Sequence, residues 1–343
     1  MATHDPTPSP RARHRKRSAP TAQRSRRPPC AQGTQAGRFL TLHQIGEGGT
    51  SAVYDAVDPE TGQRAAVKVL VVEGRGDRGR FEAEARLLAA FDHPAVPTLL
   101  GAGALADGCP YLAMERVRGA PITEFARAHA LGTRGRLALF ADVCHAVRHV
   151  HTRLVVHYDV KPSNVLASQD VDGRNRVHVV DFGAARPLVA EPRGGGGDGA
   201  ASPITPAYAA PEQFPDADGR AARATTAADV FALGSLLYEL LTGRTPLDGG
   251  APPSRVADLG VSRHLARALD AVVERSIDPD PWRRYASSAD LLADVQRVLR
   301  GRPPTVARLS VWSRAAWGLR GHRAGIAAAT LGAVVGTAFR ARR

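Results

Sequence analysis

The chain has 343 residues, 43 % of them hydrophobic, enough for one large domain or two moderate ones with a real core. Its net charge of +13 belongs to the tails: residues 1–37 hold eight Lys/Arg and one acid, residues 301–343 eight Arg and no acid, and residues 38–300 carry 30 bases against 32 acids. A nearly neutral centre, with no aromatic residue in 1–37, speaks against specific nucleic-acid recognition and leaves the tails a solvated or lipid-facing role.

Residues 1–37 are rich in Pro, Arg, Ser and Thr and are expected to be a disordered basic tail. They lack the apolar run of a secretory signal, and their prolines disfavour an amphipathic presequence. From Phe39 the pattern turns strand-like: FLTLHQI, a glycine turn, AVYDAV, a DPETG turn, then RAAVKVLVV. RGRFEAEARLLAAF places Phe81, Ala85 and Leu88 at helical spacing, with Pro94 just beyond. YLAMERV reads as a buried strand. After Gly119 helices dominate, in RGRLALFADVCHAVRHVHTR, DVFALGSLLYELLTG and SRHLARALDAVVERSI. The expected fold is α+β and bilobal, a small β-rich lobe before a larger α-helical one, within a domain at 38–300. Gly194 to Gly197 read as a mobile loop.

The three cysteines, Cys30, Cys109 and Cys144, form no CxxC pair, so neither a disulfide frame nor a zinc site is indicated and a reducing cytosol fits. Only three of the 46 Lys+Arg residues are lysine, Lys16, Lys68 and Lys161. A chain that writes arginine nearly everywhere keeps lysine where a compact ammonium is needed instead of a planar fork. Both lysines of the central region fall in motifs.

The first motif runs from Ile45 through Gly46, Glu47, Gly48, Gly49 and Ser51 to Val53, between two expected strands. Glycines let backbone N–H groups approach phosphates closely. A strand follows and no GK[ST] is present, which excludes the Rossmann and Walker arrangements. Twenty-two residues after Gly46 stands Lys68, flanked by valines. A lysine in an apolar strand needs an anionic partner, and Glu84 on the next helix is the natural one. The other possibility is a snorkelling lysine and a solvated glutamate. The third block, His157-Tyr158-Asp159-Val160-Lys161-Pro162-Ser163-Asn164, can present a base, a cation and an amide oxygen from one loop. In the fourth, Asp181 ends an apolar strand before Phe182 and Gly183 and offers the hard carboxylate that Mg2+ prefers.

Taken together, these blocks resemble the protein kinase signature set in order and spacing, over residues 39–299. The resemblance implies a nucleotide site of Ile45, Gly46, Glu47, Gly48, Gly49, Ser51 and Val53, with Ser51 in place of the loop's third glycine. It implies Lys68 paired with Glu84, Met114 as gatekeeper, and Glu115 to Val117 as the hinge over adenine. It assigns Asp159 as the catalytic aspartate, Lys161 as the lysine that meets the γ-phosphate, and Asn164 and Asp181 as metal ligands. Ala210-Pro211-Glu212 matches a further segment whose Glu212 would pair with Arg284, and Asp229 would anchor the catalytic loop. The implied cofactors are ATP and Mg2+, with Mn2+ as a substitute. The implied substrates are protein Ser/Thr hydroxyls, because Lys161 and Thr205 match the Ser/Thr version. Loop lengths and FDHPAVPTLLGAG are most like bacterial kinases of the eukaryotic type.

One position departs from the family. His-Tyr-Asp replaces His-Arg-Asp, so Tyr158 stands where an arginine would receive a loop phosphate. Activation without loop phosphorylation is the expectation. A non-catalytic pseudokinase scaffold is the alternative, set against the presence of every residue the chemistry needs. An aminoglycoside-type small-molecule kinase is disfavoured by Ala210-Pro211-Glu212, Asp229 and Arg284.

The domain is expected in the cytoplasm. Membrane contact could come from Ala324–Phe339, 16 residues bracketed by Arg323 and Arg340. That is about 24 Å as a helix, short of the ~20 residues of a bilayer span. Trp312, Trp317 and Gly332-x-x-x-Gly336 favour a membrane helix; the Ala/Gly composition favours a surface one.

Overall fold

The computed structural model describes residues 30–48, 50–70, 75–188, 205–215, 224–246 and 261–306. The first lobe is built on β1 (Gln35–Ala36), β2 (Phe39–Glu47), β3 (Ser51–Val57), β4 (Arg64–Leu70), β5 (Leu99–Ala104) and β6 (Pro110–Glu115). They form one antiparallel sheet in the order β1-β2-β3-β4-β6-β5. Alternation decides the packing: Phe39 and Thr41 point inward from β2 while Leu40 and Thr41's other neighbours look outward. Helix α1 (Arg75–Ala90) lies on the sheet, with Phe81 buried beside Leu70 and Leu112, and Met114 packed against that group.

The second lobe holds α2 (Ile122–Ala128), α3 (Thr133–Thr152), α4 (Thr226–Thr242), α5 (Arg263–Ser276) and α6 (Ser288–Leu299). Helix α4 is apolar nearly all round, as a central helix must be. Its Gly234 lets α5 approach: a Cβ there would stand 2.4 Å from the Cβ of Ser276. Between the lobes, β7 (Ala120–Pro121), β9 (Val165–Gln169) and β10 (Asn175–Val179) form a small sheet, and β8 (Val155–Val156) pairs with β11 (Arg186–Pro187).

The bilobal α+β architecture is as expected, and packed structure flanks the expected domain at both ends. Residues 30–36, assigned to the tail, fold onto the first sheet. Cys30 and Ala36 are buried, and the buried Thr41 hydroxyl accepts from Thr34 N–H (3.0 Å) and donates to the Ala31 carbonyl (2.8 Å). At the other end, Thr305 donates from its N–H to Asp294 at 2.7 Å and from its hydroxyl at 2.9 Å. Described structure thus continues on either side of 38–300, from residue 30 to residue 306. The glycine run at 194–197 and the segment 324–339 lie outside the described residues. Among the described residues no helix is long and apolar enough to cross a membrane.

Candidate active site

Strand register assembles the roof of the cleft. Gly46 lies opposite Val53, Val53 opposite Lys68, and Lys68 opposite Leu112. Residues directly opposed in a sheet share a face, so the glycine turn and Lys68 lie in one row. The turn is closed by the Gly48 N–H, which donates to the Ser51 carbonyl at 2.7 Å. Ile45 and Glu47 are exposed on the same strand, and Gly49 lies outside the described residues. At the sheet's far side Ala66 faces Met114 and Ala65 faces Glu115. The Glu115 N–H donates to the Thr98 carbonyl (2.8 Å), while Val117 is buried where the chain leaves the first lobe.

Lys68 has the partner its burial demands. Its Nζ donates to Glu84 Oε1 (2.7 Å) and Oε2 (2.8 Å) and to Asp181 Oδ1 (2.7 Å). Burial alone would lower the lysine's pKa; the two carboxylates reverse this and raise it above the usual range. Asp181 is likewise opposed by burial, yet Lys68 holds its carboxyl at about 2. Its backbone has φ +64, a left-handed conformation that Asp tolerates better than most residues. Gly183 is required next to this triad: a Cβ there would stand 3.2 Å from Asp181 Oδ1 and 3.3 Å from both Glu84 Oε2 and Lys68 Nζ. Phe182, between them, packs on Phe91 and His157 with ring centroids 5.0 and 4.8 Å away.

The second cluster is carried by the 157–164 loop. Lys161 Nζ donates to Asp159 Oδ2 (2.6 Å) and to Thr205 Oγ1 (2.8 Å), and the Thr205 hydroxyl donates to Asp159 Oδ1 (3.0 Å). The Asn164 amide NH2 donates to the Asp159 carbonyl (2.9 Å) and Oδ2 (3.1 Å), which leaves its oxygen as the end available to a cation. The Val180 N–H donates to the Asn164 carbonyl at 2.9 Å and so joins this loop to the Asp181 strand.

Beneath the loop, the fully buried Asp229 accepts from His157 N–H on Oδ2 and Tyr158 N–H on Oδ1, each at 2.8 Å, with His151 Nε2 also 2.8 Å from Oδ2. Burial disfavours the Asp229 charge, but His151 and these N–H donors hold its carboxyl below the usual range. Arg284, also buried, meets Glu212 through two parallel contacts of 2.6 and 2.7 Å.

Contacts thus gather Lys68, Glu84 and Asp181 into one cluster and Asp159, Lys161, Asn164 and Thr205 into a second, joined through the Val180–Asn164 hydrogen bond, while Ile45, Glu47, Met114, Glu115 and Val117 lie on the strands and the connection above them. Sequence reading passed over three contacts. Gln213 Nε2 donates to the Tyr158 carbonyl (2.9 Å), the Arg186 guanidinium stands 4.9 Å above the Tyr158 ring, and the Thr205 hydroxyl touches Asp159 itself. A Gln or Arg carries no local signal of a partner so distant in sequence.

The family described as Protein kinase domain matches residues 39–295. The chain belongs to the protein kinase family. It is 35 % identical to the serine/threonine-protein kinase PknB of Mycobacterium tuberculosis over 81 % of this chain and 47 % of that protein. Against the serine/threonine-protein kinase PknJ of the same organism the figures are 33 %, 75 % and 44 %. The chain thus spans under half the length of these relatives. The crystal structure of the Mycobacterium tuberculosis PknI kinase domain superposes with a TM-score of 0.59 at 25 % identity, covering 78 % of this chain and 99 % of that one.

Proposed function

We propose that this protein kinase is a serine/threonine protein kinase that transfers the γ-phosphoryl group of Mg·ATP to protein hydroxyls. The observation that carries the reading is the Asp159–Lys161–Thr205 contact set. A carboxylate held in place by a lysine and an amide already accepts a hydrogen bond from a threonine hydroxyl at 3.0 Å. Asp159 would orient a substrate hydroxyl in the same manner and take its proton as phosphate transfers. Lys68 and Lys161 would neutralise charge on the phosphates, Lys68 kept in place by Glu84. The roof residues Ile45, Gly46, Glu47, Gly48, Gly49, Ser51 and Val53 would cover the nucleotide, with Met114, Glu115 and Val117 along adenine.

The donor set fits Mg2+. Asp181 contributes an ionised carboxylate and Asn164 an amide oxygen, both hard ligands, and among the described residues no group of three or more His, Cys, Asp or Glu could hold a metal. Two protein ligands, with phosphates and waters completing the shell, are what a small octahedral cation accepts. When bound, Mg2+ would neutralise phosphate charge.

The test is transfer of labelled γ-phosphate to a generic protein acceptor or to the chain itself. Wild type is expected to label serine and threonine but not tyrosine. Asp159→Asn and Lys68→Met are each expected to lose at least about a hundredfold in kcat while keeping the fold. Near-wild-type turnover in either variant would overturn the assignment. The domain is proposed to act in the cytoplasm, where ATP is available. Membrane contact through 324–339 is a separate proposal, supported by the flanking arginines and tryptophans. It predicts carbonate-resistant pelleting that disappears on deleting 323–343, and equal pelleting of the two forms refutes it.

A further inference from the structure

Asp55 sits on β3 opposite Ala66, which in turn faces Met114. It therefore shares a face with Val53 and Lys68, the face that fronts the cleft. A buried carboxylate at the lip of a nucleotide cleft needs a reason. Asp55 is 5 % exposed and meets three basic side chains, two arginines and a histidine. Arg64 from β4 grips both oxygens, with Nε 3.3 Å from Oδ1 and Nη2 on Oδ2. His43 from β2 lies 3.9 Å away. The third is Arg116, from the hinge, with Nε 3.5 Å from Asp55 Oδ1.

Arg116 connects that carboxylate to the adenine side of the cleft. Its Nη1 donates to the Val117 carbonyl, so one guanidinium spans from the sheet to the hinge backbone. Arg116 Nε is buried and has no hydrogen-bond partner. Attraction to Asp55 is thus its compensation, and removing the carboxylate would leave a buried guanidinium edge unbalanced. Arg64 alone already satisfies Asp55 in a forked pairing. Stability of the sheet therefore does not require Arg116, whereas the position of the hinge does.

We propose that Asp55 is a positioning residue for the nucleotide: through Arg116 it fixes the Val117 carbonyl and the hinge backbone that lies along adenine. The proposal rests on the nucleotide-binding reading above, and its test needs no phosphoryl transfer. Affinity for Mg·ADP is measured by calorimetry on the full chain for wild type, Asp55→Asn, Arg116→Met and the double variant. Each single variant is expected to weaken binding about fivefold, and the double variant no more than the weaker single, because both remove one link. Asp55→Glu is expected to restore affinity to within about twofold, which a general loss of sheet stability would not allow. In turnover, Asp55→Asn should raise KM for ATP with kcat retained.

Unchanged ADP affinity in folded Asp55→Asn, or single effects that multiply, overturns the proposal and leaves the kinase reading intact. If Asp55→Asn does not fold, Arg116→Met decides alone, wild-type affinity counting against the link. Wild type that binds ADP but transfers no phosphate would refute the kinase activity and not the link. Wild type that fails to bind ADP refutes both.

Discussion

Tyr158 holds a conformation that bulky residues avoid, with φ +69, a strain of about 1–3 kcal/mol. The surroundings hold it there: Asp229 takes its N–H, Gln213 donates to its carbonyl, and its ring is buried under the Arg186 guanidinium. Where an arginine side chain at this position would need an anionic partner to become ordered, Tyr158 is held by hydrogen bonds to its backbone and a cation–π contact to its ring. The catalytic loop is therefore in place without a phosphate. Phosphatase-treated protein is expected to keep kinase activity within about twofold of untreated protein, read as labelled phosphate transfer. Loss of activity on dephosphorylation, with recovery on loop phosphorylation, would show that the ordering comes from elsewhere.

Among elements, the strap at residues 30–36 has a definite energetic role. Cutting the chain to begin at residue 38 would remove Cys30 and Ala36 from the buried cluster that holds Phe39 and strip the Thr41 hydroxyl of its Thr34 donor and Ala31 acceptor. Apolar re-exposure and the lost pairing together cost about 2–4 kcal/mol. A chain starting at residue 38 is expected to melt about 5–10 °C below one starting at residue 30; equal melting would mean the strap is an ornament. This element was not legible because its residues, Cys-Ala-Gln-Gly-Thr-Gln-Ala, carry no apolar alternation, and its strand is only two residues long. Strand β5, Leu-Leu-Gly-Ala-Gly-Ala, escaped for a different reason: small residues have little strand propensity, and pairing with β6 makes the strand. Helices α1, α3, α4 and α5 were legible from their period, and β2 to β4 from alternation between turn residues. The site motifs were legible because glycine, lysine and aspartate at those positions have few substitutes. The Asp55–Arg116 link was not, since residues 61 apart in sequence meet only once the sheet is formed.

At the scale of the whole molecule, three half-buried histidines tie stability to pH. His93 and His149, with tilted rings 4.8 Å apart, join the segment after α1 to α3, and His178 lies on β10. Burial is the main cause lowering all three pKa values. His149 and His145 add to it at His93, Arg153 at His149 and Arg176 at His178, while Asp92 opposes it at the first two and Glu115 at the third. Each group binds a proton more readily when the chain is unfolded. Stability from their neutral forms is therefore complete above the unfolded value of about 6.5 and is lost as pH falls toward the folded values. Asp181 and Asp229 act in the same direction, but their window opens only below about 4. Glu84 and Asp142, whose pKa values burial raises, act in the opposite direction, so a fall in melting temperature between pH 7.5 and 5.5 points to the histidines. Replacing His149 by Phe removes one proton site and the repulsion at His93, and keeps an aromatic ring against Phe91. His149→Phe is expected to show a shallower fall across that range than wild type, measured by calorimetric melts at matched ionic strength. Parallel curves for the two proteins would place the acid sensitivity outside the His93–His149 pair.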